Sequence, residues 1–340
     1  MRTDRIFAAT LVVLVSTAIV GFSAGNSSAS FTGTTTNPGQ ILNTQNVAPP
    51  ASFTSATSAV AGRIDLVWTA TTSPAGSHTV TYLVFRGPVG GPYAQVGTTS
   101  GLTYSDTPGA DGTYEYVVQT KIAQGSGFFT SGNSATKSTK SDRTAPTMSA
   151  TCNGGSCAGW FNASVTFVVS GADGAGVGMG TATTNIDAAG AITSAAPRTV
   201  TVSGESATHS VVYSGADAVG NASGNSSQTV KIDLTNPTAG GGISISTGAS
   251  SGQLNVTGTS AGTDALSGVA GYRAYYAAAG ASCAATPYAT FQYFAGNPPA
   301  VPLVLTGLIS NQNYCVYLVT LDNAGNLSVA SNTSNRTKAK

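Results

Sequence analysis

The sequence predicts an all-β protein, a series of β-sandwiches behind an N-terminal export signal. Three observations predict this. No long stretch beyond the N-terminus has apolar residues at helical spacing. Apolar and polar residues instead alternate in short runs, such as Ile64–Trp68 (IDLVW), Tyr114–Val118 (YEYVV) and Val165–Val169 (VTFVV). Gly, Asn, Asp, Ser and Pro separate these runs. Alternation over four to eight residues marks a half-buried strand, and several such strands per ~100 residues mark a sandwich.

At the N-terminus, Arg2 and Arg5 precede an apolar run, Ile6 to Val20, and small residues stand beyond it at Ser23-Ala24-Gly25 and Ser27-Ser28-Ala29. This order describes a secretory signal peptide, with cleavage expected after Ala29, so that residues 1–29 leave the mature chain. An uncleaved membrane anchor is the alternative, because the run nears the ~20 residues that cross a bilayer. Membrane contact is expected through this segment alone. Residues 30–47 form an extended lead-in.

Composition agrees with export. Charged residues are 8% of the chain and the net charge is +1, against a usual charged share of about 25%. Fourteen Lys and Arg spread over 340 residues make no basic face, so nucleic acid is excluded as a partner. The recurring Val, Ile, Tyr and Phe supply a core that disordered chains lack.

Pro-containing seams divide the remainder of the chain. Ala48-Pro49-Pro50 is one, Thr144-Ala145-Pro146-Thr147 the second and Thr235-Asn236-Pro237-Thr238 the third. Pro237 lies 91 residues beyond Pro146, and Asp322 lies 105 beyond Asp217 within the matched runs DAVGN and DNAGN. A repeat of that size is one sandwich. The predicted modules are 48–142, 143–236 and 237–340.

Module one carries Ile64-x-Leu66-x-Trp68, Tyr82-x-Val84-x-Arg86, Gly91-Pro92-Tyr93 and Gly112-Thr113-Tyr114-x-Tyr116-x-Val118. On these residues it resembles a fibronectin type III domain, which implies that Trp68 is the core tryptophan of the second strand. Modules two and three carry TAPT or TNPT, then Asp173-Gly174-Ala175-Gly176-Val177 or Asp264 to Val269, then Asp217 to Ser223 or Asp322 to Ser328. They resemble the bacterial immunoglobulin-like and fibronectin-like repeats of extracellular proteins. The resemblance implies spacer or adhesive modules, some of them beside secreted hydrolases. The run Ala29 to Gln40 (ASFTGTTTNPGQ) resembles the start of secreted proteins related to camelysin and TasA-type matrix fibres. It points to an export route and to a fibre subunit.

Four cysteines fit an oxidising compartment. Cys152 and Cys157 close the short loop CNGGSC, and Cys283 with Cys315 makes the simplest second bridge of the three pairings that four cysteines allow. No second CxxC or nearby His supports zinc. Of two histidines, His78 lies in a Gly/Ser/Pro-rich turn and His209 at the start of a strand run. Neither has an acid and a nucleophile beside it in sequence, and no hydrolase, P-loop or dinucleotide motif occurs in a strand-to-helix context. The chain is therefore expected to be no enzyme.

The repeated DxxGN element reads as a turn. Asp accepts backbone N–H groups two residues on, and Gly220 or Gly325 supplies a left-handed residue. The alternative is a cation. Loops after the second and sixth strands of a sandwich leave at one end, which would pair Asp173 with Asp217 and Asp264 with Asp322 as Ca²⁺ ligands. Ca²⁺ takes six to eight oxygens, so several carbonyls would have to join them. No other cofactor is implied.

Three functional readings fit this sequence. The first is a non-catalytic secreted or cell-surface protein for adhesion, envelope or matrix structure, or spacing. It would meet a protein or glycan at the cell surface. The second is a carbohydrate-binding protein or an accessory to secreted hydrolases, using Tyr272, Tyr275, Tyr276, Phe291, Tyr293 or Phe294. The third is a subunit of an extracellular fibre.

Overall fold

The structure is a computed structural model. It describes residues 47–73, 79–124, 127–258, 260–296, 302–331, 333, 334 and 336–340. The segments expected to form the signal peptide or anchor, most of the lead-in segment, and His78 lie outside the described residues. The chain is all-β, and no α-helix occurs among the described residues. No helix there is long and apolar enough to cross a membrane. Two compact units divide at Thr144 and Ala145.

The first unit holds β1 (Phe53–Ser58), β2 (Ile64–Trp68), β3 (Thr79–Gly87), β4 (Ala94–Thr99), β5 (Thr103–Asp106), β6 (Gly112–Gln124), β7 (Gly127–Thr130) and β8 (Lys137–Ser141). One sheet runs β1-β2-β5; the other runs β4-β3-β6, with β7 and β8 both on β6. The alternation in IDLVW puts Ile64, Leu66 and Trp68 inward. Trp68 is 2% exposed and meets Phe53 and Tyr82 edge-on, with ring centroids 6.3 and 5.6 Å away. It is the core tryptophan. At the rim, Arg86 and the Tyr116 hydroxyl both bond Asp106 Oδ2, at 2.6 and 2.7 Å. Burial first, and this bond second, push the Tyr116 phenol far above its usual range.

The second unit begins with β9 (Thr147–Cys152), β10 (Trp160–Phe161), β11 (Val165–Ala172), β12 (Met179–Ile186), β13 (Ile192–Ala195), β14 (Arg198–Val202), β15 (Ser206–Asp217) and β16 (Ser226–Ile232). A sheet β9-β11-β14 faces a sheet β10-β16-β15-β12-β13, in which β10 runs parallel to β16. Val165, Phe167 and Val169 point into the core between them, and the Cys152–Cys157 disulfide closes one side.

The same unit continues with β17 (Ile243–Thr247), β18 (Leu254–Gly258), β19 (Val269–Ala278), β20 (Thr290–Ala295), β21 (Leu303–Leu305), β22 (Asn313–Asp322) and β23 (Thr337–Lys338). These form sheets β17-β18-β21 and β20-β19-β22-β23. Here the expectation of half-buried strands fails for β22. Its residues from Tyr314 to Thr320 are buried on both faces. Val316 and Leu318 fill the core, while Cys315, Tyr317 and Val319 face outward under the loop after β19. The Cys283–Cys315 disulfide fastens that loop, and Tyr288 lies on Tyr317 with centroids 5.1 Å apart.

A second departure comes after the DNAGN turn. The polar run there predicts a returning strand, yet β23 has two residues. Serines at every third position hold the chain instead. Ser328, Ser331 and Ser334 donate N–H to the carbonyls of Thr320, Leu318 and Val316. Their hydroxyl oxygens accept N–H from those same three residues, each at 2.9 Å. Three residues of outgoing chain thus match two of the strand. Ser131 and Ser134 do the same to β6, and Ser223 does so to β15.

Ser334→Ala leaves the buried Val316 N–H without an acceptor. It should lower stability by about 1–3 kcal/mol in urea unfolding. A loss under about 0.5 kcal/mol would deny the serine that role.

Candidate functional site

The site lies inside the second unit, where module two hands over to module three. Three loops meet there. The first is the segment after β16, Asp233-Leu234-Thr235. The second comes after β18 and holds Asp264. The third is the DNAGN turn that ends β22. Carboxylate oxygens of Asp233, Asp264 and Asp322 all lie within 4.8 Å of one another. Asp233 and Asp322 are buried, and Asp264 is partly exposed.

The turn forms because the side chain does what a strand partner would do. Asp322 Oδ1 accepts the N–H groups of Gly325 and Asn326, both at 2.7 Å. Gly325 has φ +99°, a conformation open to glycine. Asn326 Nδ2 donates to Asp322 Oδ2 at 2.8 Å. That amide also reaches the preceding module's exit, donating to the carbonyls of Asp233 at 2.8 Å and Thr235 at 3.3 Å. Asn326 is therefore a clamp between the turn and the linker.

The other loops complete the joint. Asp233 accepts N–H from Thr235 through Oδ1 and from Ser267 through Oδ2, at 3.1 and 3.0 Å. Burial alone would raise the pKa of Asp233. The Ser267 and Thr235 donors outweigh it and hold the carboxyl below the ordinary carboxylate range. Asp264 Oδ2 accepts N–H from Leu266 and Gly268 at 3.1 and 2.6 Å. Asn323 Nδ2 donates to the carbonyls of Ser267 and Gly268 at 2.8 and 3.0 Å. The whole is a set of carboxylates, each wrapped by backbone donors.

The upstream twin is built alike. Asp217 Oδ1 accepts N–H from Val219, Gly220 and Asn221, and Oδ2 accepts Asn221 Nδ2 at 2.6 Å. Gly220 also has φ +99°. Asp173 accepts Gly178 N–H at 2.7 Å and comes within 4.8 Å of Asp217. The structure thus brings together both pairs named from the sequence. Their carboxylates are surrounded mostly by N–H donors, where a Ca²⁺ shell would need carbonyls. Sequence reasoning missed Asp233. Its signal was present: Asp142-x-Thr144 precedes Pro146 as Asp233-x-Thr235 precedes Pro237, and each acid accepts its Thr N–H at 3.1 Å.

His209 proves to have an acid that the sequence hid. It sits within β15, and its Nδ1 lies 2.7 Å from Asp187 Oδ2. Asp187 comes from the β12–β13 turn and also accepts Ser210 N–H. His209 Nε2 faces the Gly204 carbonyl at 3.0 Å rather than a hydroxyl, so the pair has no nucleophile in line. Both ring nitrogens face acceptors, so the imidazolium fits best. Burial lowers the His209 pKa, but the bonds to Asp187 and Gly204 raise it on balance. A raised folded pKa stabilises fully below the unfolded value of about 6.5. That contribution is lost as pH rises through the folded pKa. Melting temperature should therefore fall on going above pH ~6.5, and His209→Gln should flatten this slope. An unchanged slope in the variant would refute the assignment.

The six aromatic candidates divide by face. Tyr272 is buried, and Tyr276 and Phe294 pack on the core. Tyr275, Phe291 and Tyr293 lie on the outer face of β19 and β20.

No family model matches the chain, and no curated protein matches it. Among solved structures it is similar to the FN1–FN3 domains of chicken CNTN1, at 15% identity and TM-score 0.38, over 86% of this chain and 99% of that one. It is also similar to domains A168–A170 of titin, at 14% identity and TM-score 0.38, over 87% of this chain and 98% of that one. The fold assignment stands on the strand pairing.

Proposed function

We propose that this is a non-catalytic, exported multi-module protein that serves adhesion, envelope or matrix structure, or spacing. The observation that carries it is the Asn326 clamp, in which a turn of one module hydrogen-bonds the exit chain of the module before it. Such a joint fixes two modules relative to each other, which a spacer or adhesive stalk requires and a single-module binder does not. The two disulfides favour an oxidising compartment. The test is a deletion strain of the source cell. Loss of attachment or matrix that wild type restores, and an Asn326→Ala chain restores poorly, is the expected result. A hydrolytic activity of the purified chain, abolished by one point substitution, would overturn the reading.

Two narrower readings share this frame. Outward aromatic rings on module three favour a carbohydrate ligand at the cell surface. The crowding of Asp233, Asp264 and Asp322 favours a Ca²⁺ ion at the joint. Unit charges no more than 4.8 Å apart repel by about 3 kcal/mol or more at an effective dielectric near 20, which a cation would relieve. Millimolar Ca²⁺ should then raise the stability of the second unit by about 1–3 kcal/mol, the gain at ten to a hundred times Kd. Asp264→Asn should abolish that gain. A melting temperature indifferent to Ca²⁺ and to chelator would leave the joint to its hydrogen bonds.

A further inference from the structure

We infer that the outer face of the β20-β19-β22 sheet binds a saccharide bearing carboxylate groups, through Tyr293, Phe291, Tyr275 and Arg273. This rests on the carbohydrate reading above and narrows its ligand. The register sets the layout. Phe291, Tyr275 and Tyr317 stand opposite one another across three strands, and Tyr293, Arg273 and Val319 form the next row. Side chains in such rows share one face of the sheet.

The first row is a continuous aromatic ladder. Ring centroids are 5.0 Å apart from Phe291 to Tyr275 and 5.2 Å from Tyr275 to Tyr317. The ladder starts beneath Tyr288 at its buried end and emerges at Phe291, which is 43% exposed. The second row opens with Tyr293, 48% exposed. Its ring lies across Gly271, where an added Cβ would come within 2.9 Å of Cε2. Its hydroxyl donates to the Ala270 carbonyl at 3.0 Å. The ring is thus pinned at both ends and offers a fixed, flat apolar surface. A pyranose presents an apolar C–H face of matching shape, and a ring that is already ordered loses little freedom on binding.

Charge decides the ligand class. The guanidinium of Arg273, a second-row residue, lies 4.9 Å from the Phe291 ring centroid of the first row. Among the described residues it makes no ion pair. Module three carries Arg273, Arg336, Lys338 and Lys340, and its two acids, Asp264 and Asp322, both sit in the joint. The outer face therefore bears a cation with no acid of its own module beside it, among the described residues. Arg pairs with a carboxylate through parallel N–H bonds. An aromatic floor with an uncompensated Arg fits an acidic sugar better than a neutral one.

The test is affinity electrophoresis of the full chain in gels holding polygalacturonate or its neutral methyl ester, with melting temperature as the folding control. Retardation by polygalacturonate is expected, with binding to the ester at least tenfold weaker. Arg273→Ala should erase that preference. Tyr293→Ala should abolish retardation, Tyr293→Phe should retain most of it, and Lys338→Ala should change nothing. Equal retardation by both polymers would overturn the carboxylate assignment while the carbohydrate reading survives. Retardation unaffected by Tyr293→Ala would overturn the site. No retardation by either polymer, with no binding across neutral glycans, would overturn both. Self-association lost in Tyr293→Ala would assign the patch to a second copy of the chain and overturn the proposal.

Discussion

Asp322→Ala is expected to destabilise module three by about 3 kcal/mol in chemical unfolding, the sum of several lost acceptors at about 1–3 kcal/mol each. The carboxylate is 1% exposed. It satisfies two backbone N–H groups of the turn and the amide of Asn326. Alanine leaves all three donors without that acceptor and releases Asn326 from its place over the linker. Some of the cost is offset, because one of three crowded charges disappears. The donors still outweigh it, since charge-assisted bonds are the stronger kind. A loss below about 1 kcal/mol would mean that the turn holds without its acid.

Trp68→Ala is expected to cost the first unit about 3–5 kcal/mol, the usual range for truncating a buried tryptophan. Trp68 fills the space between Phe53 and Tyr82 and belongs to the cluster of Ile64, Leu66 and Val84. Those neighbours come from both sheets, so the cavity cannot close without moving strands. Its indole N–H has no hydrogen-bond partner among the described residues. Trp68→Phe should therefore cost far less than alanine, because it removes volume and no bond. Far-ultraviolet circular dichroism in guanidinium separates the two variants. Equal losses in both would show that the indole nitrogen, not the volume, matters.

Much of this architecture was legible in the residues. Period-two alternation placed Ile64, Leu66 and Trp68 inward, and the same pattern placed Val165, Phe167 and Val169. The glycine of DxxGN marked the positive φ in both turns. Loop order alone predicted that Asp264 and Asp322 would meet. Other features needed the fold. The apolar run Tyr314 to Val319 marks β22 as a strand, but only the fold shows that a disulfide-fastened loop covers its second face. The polar run after DNAGN reads as a returning strand, but its serines recur at every third residue and pair with β22 through their hydroxyls instead of a regular ladder. Asp187 lies 22 residues from His209, and only the β12–β15 pairing joins them. Asp233 looks like part of a linker in the sequence, since its partner loops are 34 and 93 residues away.

Asn326 locks module three to the exit of module two. Nitroxide labels at Thr199→Cys and Ser246→Cys, both on strand positions away from the core, report the distance between the two modules by pulsed electron spin resonance. A single narrow distribution is predicted for the parent chain, and a markedly broader one after Asn326→Ala. A distribution of the same centre and width in Asn326→Ala would contradict the lock.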